Sequence, residues 1–316
     1  MPKRQGVSRQ RGNQTDVSRV YATALFVTLA TMWGLSFPAI SVGLEHLPPL
    51  LFAAFRYDTA AVLLLGYAVL TTDSWRPVGT NDLQAVLAGG LFLVAGNGLL
   101  FIGQQTVPSG VAAIQQALVP IATALWAALL LGERISPVGA VGVAVGFLGV
   151  GLIVQPDPNN LLAGDTVGRL IILGQVTSVS LGGVLVDRAQ PSMERVAMTG
   201  WAMGLGGLVL HLLSLGAGES APAAVPAPTA LGAVLYLGVF STALAFVIYF
   251  TILEERGAFE TSLVAYLVPV VATLAGVVLL EESIGLLTIG GFVVVFVGFA
   301  LLKRHALVDY VDAGVS

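Results

Sequence analysis

Apolar residues in this chain gather into ten long runs, not the alternating or 3.6-residue patterns of half-buried elements. The runs cover roughly 21–44, 49–71, 82–104, 108–131, 137–155, 167–187, 194–215, 228–252, 257–280 and 285–302. A bilayer core of about 30 Å needs about 20 apolar residues in a helix, so each run is a candidate membrane span. Helices are the element that fits, because a segment in hydrocarbon must satisfy its own backbone polar groups. The breaks between runs carry turn residues: Pro48-Pro49, Asp73 to Pro77, Pro108-Ser109-Gly110, Ser136-Pro137, Pro156 to Asn160, Gln190-Pro191-Ser192 and the Ala/Pro-rich stretch from Gly216 to Pro228.

Composition agrees with this pattern and removes the alternatives. Of 316 residues 56% are hydrophobic and 10% charged, against about 25% charged in an ordinary soluble domain. With a mean hydropathy of +0.89 there is too little polar surface to cover a water-soluble fold. A soluble enzyme, a disordered chain, a disulfide scaffold and a nucleic-acid binder are excluded on these grounds. The expectation is an all-α polytopic membrane protein of the cytoplasmic membrane, with the lipid bilayer as its partner and no nucleic acid.

Charge placement sets the expected orientation. Residues 1–20 hold Lys3, Arg4, Arg9, Arg11 and Arg19 against Asp16 and read as a disordered basic cytoplasmic tail. The following run is too long for a signal-peptide core and has no small-residue cleavage site, so it is expected to stay as the first span. With the amino terminus inside, ten alternating spans put twelve lysines and arginines on the inner side: the five above plus Arg76, Arg134, Arg188, Arg195, Arg256, Lys303 and Arg304. Only Arg169 falls outside, and Arg56 lies within the second span. Both termini are therefore expected to be cytoplasmic.

The chain also repeats. A shift of 149 residues aligns Leu118-Val119-Pro120 with Leu267-Val268-Pro269, Leu130-Leu131 with Leu279-Leu280, and Glu133 with Glu282, and 13 of the 35 positions from 118 to 152 are identical. Each half holds five spans, an odd number, so the second half must insert upside down. The predicted architecture is ten transmembrane helices as two inverted five-helix repeats, residues 21–155 and 156–303, followed by a cytoplasmic tail over 304–316. Inverted repeats are a plan of secondary transporters, with the substrate near the bilayer midplane between the halves.

Several residues carry a family likeness. Trp33-Gly34 with Phe37-Pro38 in span one, Arg56 early in span two, and Pro120 followed by Leu130-Leu131-Gly132-Glu133 closing span four resemble the EamA-type branch of the drug/metabolite transporter superfamily. The second half repeats the pattern with Pro269 and Leu279-Leu280-Glu281-Glu282, Glu281 standing where the first half has Gly132. The resemblance covers residues 21–303. It implies ten helices, no cofactor, and export or exchange of small metabolites, commonly amino acids, without ATP.

Polar side chains inside spans are the candidate binding residues. A cation such as Arg56 is costly in the membrane and calls for an anionic partner, which a substrate carboxylate could supply. The structural alternative is an arginine that snorkels to the interface or pairs with Asp58, although Asp58, two residues on, lies about 200° around the helix. Asn97, Gln115, Gln116, Gln175, Tyr249 and Tyr266 carry amides or phenols that need partners. Smaller polar residues (Thr177, Ser178, Ser180, Ser241, Thr242, Thr261, Ser262) are equally suited to helix packing. Trp33 could stack on a substrate or simply pack. His211 falls near the outer end of span seven.

Pro120, Glu133, Pro269 and Glu282 read as a structural repeat motif. Each glutamate ends one helix and precedes the start of the next, at Ser136-Pro137 or Gly285, whose free N–H groups suit a carboxylate. Glycines 139, 142, 146, 149, 290, 291 and 298 give spans five and ten small faces for close packing, within the chain or in a homodimer. Three histidines and no cysteine leave little material for a metal or thiol site, and no catalytic cluster or nucleotide motif is visible. The sequence thus points to a secondary transporter of small metabolites working by alternating access, an exporter or exchanger. The alternatives are a membrane-embedded lipid-modifying enzyme and a non-transporting partner subunit.

Overall fold

The computed structural model describes residues 21–155, 164–220, 227–304 and 308. The basic segment 1–20, most of the C-terminal tail and parts of two proline-rich connections, 156–163 and 221–226, lie outside the described residues.

Among the described residues nine helices are long and apolar enough to cross a membrane: α1 (Tyr21–Leu44), α2 (Pro49–Thr71), α3 (Thr80–Gly103), α4 (Ser109–Leu131), α5 (Pro137–Val154), α6 (Asp165–Ala189), α7 (Arg195–Gly216), α8 (Pro228–Gly257) and α9 (Glu260–Leu280). A shorter apolar helix, α10 (Leu286–Leu302), completes the set. The ten elements fall on the ten runs, and their boundaries follow the turn chemistry. Pro49, Pro137 and Pro228 start helices where a missing N–H costs nothing. Gly257, at φ 80° and ψ 172°, separates α8 from α9 in a conformation open to glycine. The chain is an integral, multi-pass membrane protein. Its surface agrees: Leu70, Val278 and Leu286 are 86%, 75% and 85% exposed, which acyl chains tolerate and water does not.

Cross-contacts define two ends and show that the helices alternate between them. At one end Glu219, just past α7, accepts the N–H groups of Leu50 (3.1 Å) and Leu51 (2.9 Å) at the start of α2. At the same end Arg169, early in α6, donates to the carbonyls of Ile153 (2.8 Å) and Val154 (3.2 Å), which close α5. At the opposite end Asp82, early in α3, accepts the N–H groups of Ser192 (2.7 Å) and Met193 (3.3 Å) ahead of α7. Trp75 and Trp201 stack there at 6.4 Å with Arg76 over Trp75, as suits a membrane interface. So α1 ends where α6 begins, and the second five-helix half is inverted relative to the first.

Small residues hold the halves together, since in lipid the helices gain little from burying apolar surface against one another. A Cβ on Gly142 would lie 2.5 Å from the carbonyl of Gly298, and one on Gly298 would lie 2.6 Å from that of Gly142. The glycine faces of α5 and α10 are thus spent on each other. Among the described residues four helices also depart from α geometry. Pro38 interrupts α1 at Leu35, Pro120 interrupts α4 at Ala117-Leu118, and α3 carries a π-helical stretch, Gly89–Ala95, followed by a turn at Gly96-Asn97. The equivalent helix of the second half, α8, carries a matching π-helical stretch, Tyr236–Leu244.

Candidate functional site: a polar chain between the two halves

These departures gather at one level of the bundle, and the polar candidates sit on them. Proline cannot donate to the carbonyl four residues back, so each interruption frees backbone groups and bends the helix. Asn97 lies in the break of α3, Gln116 is the last residue before the break of α4, and Thr242 lies within the π-helical stretch of α8. Ser178 of α6 donates to the carbonyl of Phe92, inside the π-helical stretch of α3, at 2.9 Å. Irregular backbone at membrane depth is tolerated where protein or a cavity satisfies it, and π-helical stretches are common at functional sites.

At this level a chain of hydrogen bonds crosses the bundle. Gln116 of α4 donates to Gln175 of α6 at 2.9 Å, and Gln175 donates to Asn97 of α3 at 2.8 Å. The Asn97 amide donates in turn to the hydroxyl of Tyr57 on α2. Beside Tyr57 stands Arg56, 7% exposed, whose Nε donates to Thr242 Oγ1 of α8 at 2.9 Å. Its guanidinium carbon lies 5.2 Å from the Tyr57 ring centre and 5.9 Å from that of Phe101, within cation–π range. Gln175 and Thr242 belong to the second half and the others to the first, so the chain spans the interface between the repeats.

Arg56 has no carboxylate partner among the described residues. Asp58 does not supply one: its Oδ2 lies 2.6 Å from Nε2 of His211 on α7, on another face of α2. A buried guanidinium is costly in the membrane and favours an anionic partner.

The other candidates divide. Trp33 meets Phe246 and Tyr249 of α8 at 6.0 and 5.6 Å between ring centres, forming an aromatic wall with Phe250. Tyr236 of α8 ties into it by donating to the carbonyl of Met32 at 3.1 Å. Gln115 faces away from the chain and donates to the carbonyl of Arg169 at 2.9 Å. Tyr266 packs between Phe296 and Phe299 of α10, at 5.1 and 4.6 Å. Neither Gln115 nor Tyr266 joins the polar chain, because Gln115 turns toward α6 at Arg169 and Tyr266 toward α10. Thr177 and Ser180 bond carbonyls of their own helix, and Thr261 bonds that of Gly257 at the junction of α8 and α9. Sequence reasoning misses Tyr57, although its place beside Arg56 is a usable signal. Among the described residues no group of three His, Asp or Glu side chains could hold a metal ion.

The repeat glutamates behave differently from one another. Glu282 does not serve the following helix, α10; its carboxylate reaches across the bundle to the start of α4, at Ser109 and Gly110. Ser136 caps the start of α5 itself, accepting the N–H of Gly139 at 3.1 Å, and Glu133 is exposed.

Comparison with known proteins names the architecture. The EamA-like transporter family matches residues 21–155 and again 166–304, one copy for each half. The chain belongs to the EamA-like transporter family. It is a membrane transporter, and the relatives are named transporters, not enzymes. An uncharacterized transporter of Archaeoglobus fulgidus is 30% identical over 281 residues, spanning 87% of this chain and 95% of the relative. The uncharacterized inner membrane transporter YedA of Escherichia coli K12 is 33% identical over 262 residues, 83% of each protein. A solved crystal structure covering 90% of this chain and 98% of its own shares the fold at a TM-score of 0.62 and 20% identity. In this EamA-like transporter the polar chain lies between the two repeats.

Proposed function

We propose that this transporter moves small organic metabolites bearing an anionic group, amino acids among them, across the cytoplasmic membrane as an exporter or exchanger. It would work by alternating access, with both termini in the cytoplasm. The observation that carries the substrate class is Arg56: a buried guanidinium between the two halves, anchored at Nε by Thr242, with no carboxylate partner among the described residues. A substrate carboxylate would complete the pair, and the bidentate geometry of arginine favours a planar carboxylate over a point anion. Trp33, Tyr249 and Phe246 supply an apolar wall for the remainder of the substrate, and Asn97, Gln116 and Gln175 offer polar contacts. The orientation is supported by the cations near one set of helix ends, Arg76, Arg134, Arg188, Arg195, Lys303 and Arg304, against Arg169 near the other.

Counterflow in proteoliposomes tests this reading. Purified protein is reconstituted with an unlabelled amino-acid mixture inside and labelled tracer outside. Saturable accumulation is expected, lost in Arg56→Ala and weakened in Arg56→Lys, which keeps the charge without the fork. Accumulation that Arg56→Ala leaves intact would remove Arg56 from the substrate path. A null result with amino acids and with other carboxylated metabolites would remove the substrate class.

A further inference from the structure

The two ends of the bundle are related by the repeat but are not built alike. Where α4 begins, Glu282 Oε1 accepts the N–H of Ser109 at 2.8 Å, while Oε2 accepts the Ser109 hydroxyl at 2.9 Å and the N–H of Gly110 at 3.2 Å. The carboxylate thus takes two of the four free N–H groups of α4 and complements the positive end of its dipole. Two glycines make the approach possible. A Cβ on Gly276 of α9 would strike Glu282 Oε2 and lie 2.8 Å from Ser109 Oγ, and one on Gly110 would strike Ile284 and lie 3.1 Å from the Thr273 Cα. Close by, Gln104 at the end of α3 donates to the Phe37 carbonyl (3.0 Å) and to Ser41 Oγ (3.2 Å) of α1. The first seven residues of α4, Ser109 to Gln115, are all buried. What opens at this end is a cleft of about 460 Å³ lined by Ser41, Gln104 and Glu282 among others.

The other end of α4 is less buried. From Val119 to Leu130 only Ile121 and Ala127 are buried. The 149-residue shift puts Glu133 in the place of Glu282, and the local turns match: the Glu133 N–H donates to the Ala127 carbonyl at 3.4 Å, as that of Glu282 does to the Gly276 carbonyl at 3.1 Å. The partners differ. Ala127 stands where Gly276 does, Ala258 where Ser109 does, and Phe259 where Gly110 does. The room, the hydroxyl and the close backbone approach that seat Glu282 are therefore missing from the sequence at the opposite end. Glu133 is exposed, and among the described residues its carboxylate has no hydrogen-bond partner.

We propose that Glu282, Ser109, Gly110 and Gly276 form a one-sided latch that holds the bundle shut where α4 begins, so that the substrate-free transporter rests open at the opposite end. The latch deepens the alternating-access reading and rests on it. Opening the latched end requires Glu282 to leave the start of α4. The Asp82 contacts with Ser192 and Met193 tie the opposite end through α3 and α7; the clamp on α4 itself is supplied at the Glu282 end only.

The chain has no cysteine, so paired spin labels report each end cleanly. One pair, Gln105→Cys with Ser283→Cys, flanks the latch, and its repeat equivalent, Glu254→Cys with Arg134→Cys, flanks the other end. All four positions are exposed. Distances are read by pulsed electron resonance in lipid nanodiscs without substrate. In the parent protein the latch pair should give one short population. Glu282→Ala should add a longer population there and a shorter one at the opposite pair. Gly276→Ala, which keeps the carboxylate but fills its seat, should do the same, and it serves if Glu282→Ala does not give monodisperse protein. Unchanged distributions in the variants would overturn the latch, as would a parent protein already split between two populations at the latch pair. These readings need no transported substrate, so a failed counterflow assay and a failed latch remain distinguishable.

Discussion

Asp58 Oδ2 lies 2.6 Å from His211 Nε2, joining α2 of the first half to α7 of the second. Arg56, two residues away on α2, is thereby left without its nearest carboxylate. An intrahelical Arg56–Asp58 pair would have made the guanidinium structural; the histidine across the interface claims the acid instead. Gly207 makes room for it, since a Cβ there would lie 2.5 Å from Asp58 Oδ1. His211→Ala removes the partner of a carboxylate whose side chain is 43% exposed and should cost about 1 kcal/mol or less. The check is the thermal midpoint in detergent, which Asp58→Asn in the same background should largely restore. Asp58→Asn alone should leave Arg56-dependent counterflow in place.

Thr242 holds the guanidinium by one hydrogen bond to Nε. Thr242→Val keeps the shape and removes the acceptor. A hydrogen bond to a charged group is worth about 1.5–3 kcal/mol. The substrate concentration giving half-maximal counterflow should rise about tenfold or more, with the maximal rate less affected.

Gln175 is bonded at both ends of its amide, to Gln116 and to Asn97. Gln175→Leu breaks the polar chain in the middle and leaves two amides short of a partner. Hydrogen bonds between membrane helices are worth about 1–2 kcal/mol at most, so the fold should survive with a modestly lowered midpoint. Counterflow should fall much further than stability does. Equal losses would mean that the chain is only scaffolding.

Gly298 and Gly290 lie on the same helix and should respond oppositely to alanine. A Cβ on Gly298 meets the backbone of Gly142 and Gly146, at 2.6 and 2.7 Å, whereas one on Gly290 meets nothing within 4 Å. Overpacking of a close helix contact costs about 1–3 kcal/mol. Gly298→Ala should lower the midpoint by several degrees, and Gly290→Ala should leave it unchanged or raise it.

Glu281 ends α9 in the left-handed region, φ 56°, at the position where Gly132, φ 71°, ends α4. A non-glycine residue there costs about 1 kcal/mol. Glu281→Gly should raise the thermal midpoint without moving the latch-pair distances, because the carboxylate that seats on α4 belongs to Glu282.

What the sequence determined by itself is the part of the problem governed by hydrocarbon. Ten apolar runs, an odd count per half and a register of Pro, Glu and Gly matches leave little choice but ten helices in two inverted repeats, since backbone groups in lipid have no other way to be satisfied. Arg56, Asn97, Gln116 and Gln175 were visible as well, as polar groups where polarity is expensive. The tertiary structure decided which of them meet. Gln115 and Gln116 are neighbours in sequence, yet about 100° of helix turn sends one to the Arg169 carbonyl and the other to Gln175. Tyr266 turned toward Phe299, and Asp58 toward His211. The repeat made Glu133 and Glu282 look alike; only packing showed that one reaches a helix start 173 residues away while the other is exposed. A repeat constrains local turns, which depend on a few adjacent residues. A cross-bundle contact depends on the room left by residues distant in sequence, here Gly110 and Gly276, and that room is set by the packed helices.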